Sequence, residues 1–195
     1  MTRHLRFFLL SLCTFTLTFS AFASDASAQS KAFRISGEGV APEGIPLPGQ
    51  APRPHNIVGQ ATHLGRHFGM GTVETVDADF SQFPQKITGT FGSGEPFVFV
   101  GANGDELVCT YGRDGDGNFT GEFELTVLDI LPGGDLLVEA AWFADFVVVT
   151  EECTGKFAGV TGSWFMVAGS DPFILGSDEA ASYFWEGKGR LNFPK

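Results

Sequence analysis

The stretch from Phe97 to Tyr111 (FVFVGANGDELVCTY) constrains the fold more than any other part of the chain. Two apolar runs flank Asn103-Gly104, and an Asn-Gly pair supplies the positive φ angles of a two-residue hairpin turn. With that turn, Val100 pairs with Leu107, and one face of the hairpin is almost entirely apolar. That face consists of Val98, Val100, Ala102, Leu107, Cys109 and Tyr111. The pattern predicts an antiparallel hairpin with this face in a protein core.

The remaining segments also favour short strands. Residues 136–149 are strongly hydrophobic, and every even position among them is apolar. A period of two fits a long strand with one face in a core, although leucine and alanine also suit a helix. Further strands are predicted at Ala32 to Val40, within His55 to Val76, and at Lys86 to Phe91, Phe119 to Val127, Ser163 to Ala168 and Ser182 to Leu191. About eight strands with short connections predict an all-β fold, an antiparallel barrel or a sandwich.

One loop interrupts this pattern. Residues 41–54 contain five prolines, which exclude a helix and a central strand. The segment is expected to be extended, either as a surface linker or as a loop that arches over one end of the domain.

The N-terminus predicts an export signal. Arg3 and Arg6 precede an apolar run that is too short to span a bilayer comfortably, and Ala21-Phe22-Ala23 resembles a small-x-small cleavage site. We therefore assign residues 1–23 to a signal peptide, with cleavage after residue 28 as the alternative. Residues 24–31 are expected to be a flexible N-terminus, and residues 32–195 the β-barrel domain. The mature protein is predicted to be periplasmic or extracellular, without a membrane span.

The formal net charge of the chain is −11. An excess of acidic side chains opposes binding to nucleic acids and to anionic membrane surfaces. The sequence also lacks a phosphate-binding loop and any Ser-His-Asp or Cys-His arrangement, so no cofactor and no named reaction are predicted.

Two cysteines, Cys109 and Cys153, remain after removal of the signal peptide. In an oxidising compartment an even pair predicts a disulfide, and two buried thiols are the alternative. A zinc site is not predicted, because zinc prefers four ligands with close local spacing.

Two groups of residues are candidates for a metal site. His63 and His67 lie four residues apart and would share one face of a strand, where His55 could complete a three-histidine site. Asp114 and Asp116 begin a sequence like a calcium loop, but the glycine and the glutamate that such a loop requires are missing. Structural hydrogen bonds for the histidines and an Asx-rich turn for the aspartates are the simpler interpretations.

Three acidic residues, Glu139, Asp145 and Glu186, lie within apolar predicted strands. A carboxylate inside an apolar barrel would have a raised pKa and could transfer protons, so these residues are the first to test for catalysis. The alternative is that they face solvent or pair with Lys188 or Arg190. Asn103, Gly104 and Asp105 are assigned to turn geometry.

Three further stretches resemble a known family. They are Ala61 to Arg66 (ATHLGR), Gly101 to Leu107 (GANGDEL) and Thr154 to Gly162 (TGKFAGVTG). Their order is similar to bacterial exported proteins with an allene oxide cyclase barrel-like domain, related in fold to plant allene oxide cyclases and dirigent proteins. The resemblance implies an eight-stranded antiparallel barrel with an apolar interior, often in oligomers. The resemblance assigns no catalytic residue of the plant enzymes to a position in this chain.

These observations leave three functional hypotheses. The first is non-catalytic binding of a small apolar molecule inside the barrel. The second is a cyclase or isomerase, which would need a polar group in the cavity. The third is a structural or interaction module of the cell envelope, with an interior filled by aromatic side chains and with the odd face of residues 136–149 in a homo-oligomer contact.

Overall fold

The computed structural model describes residues 28–195, which form a single antiparallel sheet without an α-helix. The predicted signal peptide lies outside the described residues. The strands are β1 (Gln29–Ala41), β2 (Arg53–Ala61), β3 (Gly65–Asp79), β4 (Lys86–Gly92), β5 (Phe97–Gly101), β6 (Glu106–Tyr111), β7 (Gly121–Ile130), β8 (Leu136–Val148), β9 (Thr161–Ser170), β10 (Phe173–Ile174) and β11 (Ala181–Phe193). No helix in this part of the chain has the length and apolarity needed to cross a membrane. The predicted all-β class is confirmed.

Eight strands follow one another in a partial ring. Their order is β2, β1, β11, β9, β8, β6, β5 and β3, and β3 also pairs with β2. Strands β4 and β7 lie outside this order. They pair with each other, with Glu74–Asp79 of β3 and with Leu136–Phe143 of β8. The two long strands β3 and β8 therefore belong to the ring at one end and to this additional pair at the other.

Strand β8 is the segment for which the sequence allowed either a strand or a helix. Val138, Ala140, Trp142, Ala144 and Phe146 are buried, whereas Glu139 and Asp145 between them are exposed. Because this segment pairs with β7 and β9, its backbone is extended and not helical. The strand prediction is confirmed.

The hairpin of β5 and β6 is present, but its predicted register is wrong by one residue. Val100 pairs with Glu106 and not with Leu107. The loop has three residues, because Gly101 pairs with Asp105: Gly101 N–H donates to the Asp105 carbonyl, and the Gly101 carbonyl accepts from Gly104 N–H. Within this loop only Gly104 has a positive φ, of 84°, whereas the predicted two-residue turn requires two. A one-residue shift exchanges the two faces of a strand. Phe97 and Phe99 are therefore buried in place of Val98 and Val100, and Ala102 is exposed.

The structure revises two expectations, one for the N-terminal residues and one for the proline-rich loop. Residues 29–31 were expected to be flexible, yet they belong to β1, which pairs with β11 from Gln29 and Phe193 to Ala41 and Ala181. The proline-rich loop between β1 and β2 is not a mere surface linker, since Pro46 is buried and Ile45 packs against the core. It therefore covers one end of the sheet.

Aromatic side chains fill much of the core. Tyr111, Phe146 and Trp164 form a stacked column, with ring centroids 4.9 Å and 5.1 Å apart and interplanar angles of 12° and 10°. Phe99 packs against Phe146 and Trp164 from the side. Aromatic contacts of this kind stabilise a core beyond the burial of area alone.

Candidate functional site

A cavity of about 60 Å³ lies in the core beneath the proline-rich loop. Its walls are mainly apolar, with contributions from Ile45, Ile57, Phe97, Trp142, Ala168 and Trp185. Three of its lining side chains carry a hydroxyl or an imidazole, namely His55, Tyr111 and Tyr183, and the indoles of Trp142 and Trp185 add N–H groups. The site is thus an apolar space with one small polar cluster.

The polar cluster joins three strands that are far apart in sequence. His55 on β2 places Nδ1 2.7 Å from the Tyr183 hydroxyl on β11 and Nε2 2.9 Å from the Tyr111 hydroxyl on β6. The Tyr111 hydroxyl donates in turn to the backbone carbonyl of Thr72 on β3. Three side chains on β2, β6 and β11 and one backbone carbonyl of β3 therefore form one hydrogen-bonded chain.

The direction of this chain follows from its last member. A carbonyl oxygen only accepts, so the single proton of the Tyr111 hydroxyl points to Thr72. Tyr111 must then accept from His55, which assigns the proton of the imidazole to Nε2 and leaves Nδ1 to accept from the Tyr183 hydroxyl. All three protons of the cluster are engaged in internal hydrogen bonds.

Burial sets the protonation state of the cluster. Desolvation lowers the pKa of His55 from 6.5 to about 4, although the proximity of the Thr72 carbonyl partly opposes this shift. Desolvation likewise raises the pKa of Tyr111 and of Tyr183 above the ordinary range of a tyrosine. At neutral pH the cavity therefore contains a neutral imidazole and two neutral phenols.

A glycine makes room for Tyr183. A Cβ atom at Gly39 would lie 2.1 Å from Cζ of the Tyr183 ring, which no side chain can tolerate without displacement. Glycine is therefore required on β1 for the phenol to lie against the strand and reach His55.

The proline-rich loop is tied down beside the cavity. Arg53 donates to the carbonyl oxygens of Glu43 and Ser177, the latter at 3.0 Å, and pairs with Asp178 at 2.9 Å. Ile45 lines the cavity from this loop and, with Trp142, also lines a neighbouring cavity of about 30 Å³. The loop thus forms a cover whose position determines the size of the apolar space.

The three acidic residues chosen for catalytic tests do not reach the cavity. Glu139, Asp145 and Glu186 are all exposed on the outer face of the sheet. Glu186 pairs with Lys188 at 3.2 Å, which agrees with the solvent-facing interpretation. None of them can transfer a proton to a molecule in the cavity.

The histidines do not form the three-histidine arrangement. His63 lies in the turn between β2 and β3 with φ of 68°, so it does not share a strand face with His67. His63 contacts the Ala32 carbonyl at 3.2 Å, whereas His67 is buried and contacts the Gly65 carbonyl at 3.3 Å. His55 faces the cavity and takes part in neither of these two contacts.

The aspartates of the loop before β7 act locally. Asp114 accepts from the backbone N–H groups of Asp116 and Asn118 at 2.9 Å and 2.8 Å, and from the Asn118 side chain. This is an Asx-rich turn. Within residues 28–195, no three His, Cys, Asp or Glu side chains are grouped in a way that could hold a metal ion.

The predicted disulfide is not formed in the structure. Cys109 and Cys153 are both buried free thiols. Cys153 Sγ lies 3.3 Å from the Val108 amide and 3.4 Å from the Val149 carbonyl, so backbone groups satisfy it. Desolvation raises the pKa of both thiols, which makes them poor nucleophiles.

The assigned turn residues do lie in the β5–β6 loop. Asn103 Nδ2 donates to Asp105 Oδ2 at 2.7 Å, and Lys156 approaches the same carboxylate at 3.5 Å. These contacts, led by the one from Asn103, lower the pKa of Asp105. They join the hairpin loop to the 3₁₀ turn at Gly155–Phe157.

Comparisons of the chain with protein-family models, with curated proteins and with solved structures found no match.

Proposed function

We propose that the protein is an exported eight-stranded β-barrel that binds a small, mostly apolar molecule without transforming it. The sequence resemblance to allene oxide cyclase barrel-like proteins implies such a barrel, and the order of eight strands in the antiparallel sheet is compatible with it. The basic and apolar pattern of residues 1–23 supports export.

The observation that carries the binding proposal is the cavity beneath the proline-rich loop. It is lined mainly by apolar side chains, yet it contains a polar cluster whose protons are all engaged in internal hydrogen bonds. Binding sites for small molecules combine an apolar wall with a few placed polar groups in this way. Its volume of about 60 Å³ is well below that of an engineered cavity of about 150 Å³ that accepts benzene, so the ligand has only a few heavy atoms unless the cover moves.

Xenon is a suitable first probe, because it enters apolar cavities and makes no hydrogen bonds. The chain has three tryptophans, and two of them, Trp142 and Trp185, line the cavity, whereas Trp164 does not. We expect the indole N–H signals of Trp142 and Trp185 to shift saturably with xenon pressure in NMR spectra. The Trp164 signal serves as an internal control.

A pair of matched variants sharpens this test. Ala168 lines the cavity, so Ala168→Leu should fill it and abolish the xenon response. Ala141→Leu adds the same side chain on the outer face of β8 and should leave the response intact. If wild-type Trp142 and Trp185 show no saturable response, the interior is filled and the binding proposal is wrong.

We favour binding over catalysis because of the groups available in the cavity. An isomerase or cyclase would need a group that gives or takes a proton during the reaction. The candidate carboxylates are on the outer face, and the protons of His55, Tyr111 and Tyr183 are held in internal hydrogen bonds.

An interaction module is a second candidate, supported by exposed apolar side chains on the outer face. Phe165 and Val167 on β9 and Phe184 on β11 are 48%, 39% and 61% exposed. Such residues are typical of surfaces that contact another molecule. A homo-oligomer that uses them should dissociate on substitution of Phe165 and Phe184 by glutamate, as measured by sedimentation, whereas the xenon response should persist.

A further inference from the structure

We propose that the cavity selects a ligand that donates a hydrogen bond, namely a small alcohol or other hydroxyl compound, over one that only accepts. This inference rests on the proposed binding function and specifies the chemistry of its ligand. It follows from the directions of the hydrogen bonds among His55, Tyr111, Tyr183 and Thr72.

The hydrogen bonds of the cluster run one way, from Tyr183 to His55, from His55 to Tyr111 and from Tyr111 to the Thr72 carbonyl. Each of the three side-chain protons already has an acceptor. A phenol oxygen has two lone pairs, so Tyr183 retains two and Tyr111 retains one after accepting from His55. The cluster therefore offers a ligand acceptors and no donors.

A hydroxyl group suits this arrangement. It can donate to a phenol oxygen, and its own oxygen can accept from another group. Trp185 also lines the cavity, and its indole N–H has no hydrogen-bond partner within residues 28–195. A ketone or an ether can use only such a donor, and a carboxylate would face the lone pairs of neutral phenols in an apolar space, which is costly.

Propan-2-ol and acetone form a matched pair of probes, because they share a skeleton of four heavy atoms and differ in the ability to donate. Each is titrated separately against the purified chain, and the indole signals of Trp142 and Trp185 are followed with Trp164 as control. Single Trp→Phe variants assign the three signals. Propan-2-ol can donate to a phenol oxygen and also accept from the Trp185 N–H, whereas acetone can only accept. Because one hydrogen bond contributes up to about tenfold in affinity, we expect propan-2-ol to bind about tenfold more tightly than acetone.

The outcomes separate the two proposals. Equal affinity for both probes, or tighter binding of acetone, overturns the hydroxyl preference while the binding function stands. If xenon, propan-2-ol and acetone all fail to give a saturable response, the binding function itself is wrong and the preference falls with it.

A variant tests the assigned cause of the preference. In His55→Leu the Tyr183 hydroxyl loses its acceptor and becomes free to donate to acetone, so the preference should fall below about threefold. Asn56→Leu makes a comparable change on the exposed face of the same strand and should keep the tenfold preference. An unchanged preference in folded His55→Leu would mean that another group causes it.

One measurement on the wild-type protein needs no variant. The ¹⁵N chemical shifts of the His55 ring report which nitrogen carries the proton. We expect the proton on Nε2 and a lone pair on Nδ1. The opposite tautomer would reverse the chain of hydrogen bonds and overturn the inference.

Discussion

Acidification should destabilise this fold through His55 before the carboxylates titrate. The pKa of His55 is about 4 in the folded protein and about 6.5 in an unfolded chain, because folding buries the imidazole in the cavity wall. A lowered pKa means that the unfolded state binds the proton more readily. The contribution of His55 to stability is therefore complete above about pH 6.5 and is lost as the pH falls towards 4.

The expected magnitude follows from proton linkage. Between the two pKa values the free energy of unfolding falls by up to about 1.4 kcal/mol per pH unit for one group. From pH 7 to pH 5 this amounts to about 2 kcal/mol, a substantial part of the 5–15 kcal/mol that is typical of a domain. Burial also lowers the pKa of His67, so that residue adds to the same trend and must be held constant in the comparison.

The contribution of His55 to stability is isolated by comparing the wild type with His55→Gln. Both are unfolded in urea at pH 7, 6 and 5, and unfolding is followed by tryptophan fluorescence. Glutamine keeps polar atoms in the cavity but cannot titrate, and His67 is present in both proteins. We expect the stability difference between wild type and variant to fall by about 2 kcal/mol from pH 7 to pH 5, roughly 1 M in the urea midpoint. Parallel pH profiles for the two proteins would refute the assignment of His55 as a buried neutral imidazole.

Three other predictions follow from the geometry. Gly39→Ala should displace the Tyr183 ring, destabilise the fold by about 1–3 kcal/mol and remove the hydroxyl preference, as measured by urea denaturation and the probe titrations. Cys109 and Cys153 should resist thiol reagents in the native protein purified without reductant and react fully after denaturation; absence of both thiols after denaturation would indicate the disulfide. Arg53→Met should free the proline-rich loop and raise its proteolysis rate roughly tenfold, because hydrogen bonds to a charged group each contribute about 1.5–3 kcal/mol; an unchanged rate would show that Arg53 does not hold the cover.

The alternation of apolar residues predicted most of the strands, because one face of each is buried and a period of two is then unavoidable. Residues 136–149 are the best example, since the buried even positions of β8 could be read from the sequence. The hairpin shows the limit of this reasoning. Both faces of Phe97 to Tyr111 are apolar enough to be buried, so the pattern could not decide between a two-residue and a three-residue loop.

The polar cluster was not predicted from the sequence, because its members are 56 and 128 residues from His55. A signal was nevertheless present. The chain has only two tyrosines, and both lie at inward positions of predicted strands, where a buried hydroxyl requires a partner. Pairing across the sheet determines which partner it finds, and no local pattern contains that information. Glu139, Asp145 and Glu186 lie within apolar strands, yet each one occupies an outer-face position and is exposed.

The pairing of β1 with β11 has a consequence for how the chain acquires this structure. Thirteen residues at the start of the described chain lie in register with thirteen near its end, from Gln29 opposite Phe193 to Ala41 opposite Ala181. During synthesis β1 therefore has only β2 as a neighbour until β11 has been made, and its other edge stays unpaired for most of that time. The sheet can therefore be completed only after β11 has been made. The same adjacency would allow a circular permutant, joined between Phe193 and Gln29 and opened in the loop around Gly115, to reach the same fold by a different order of strand formation.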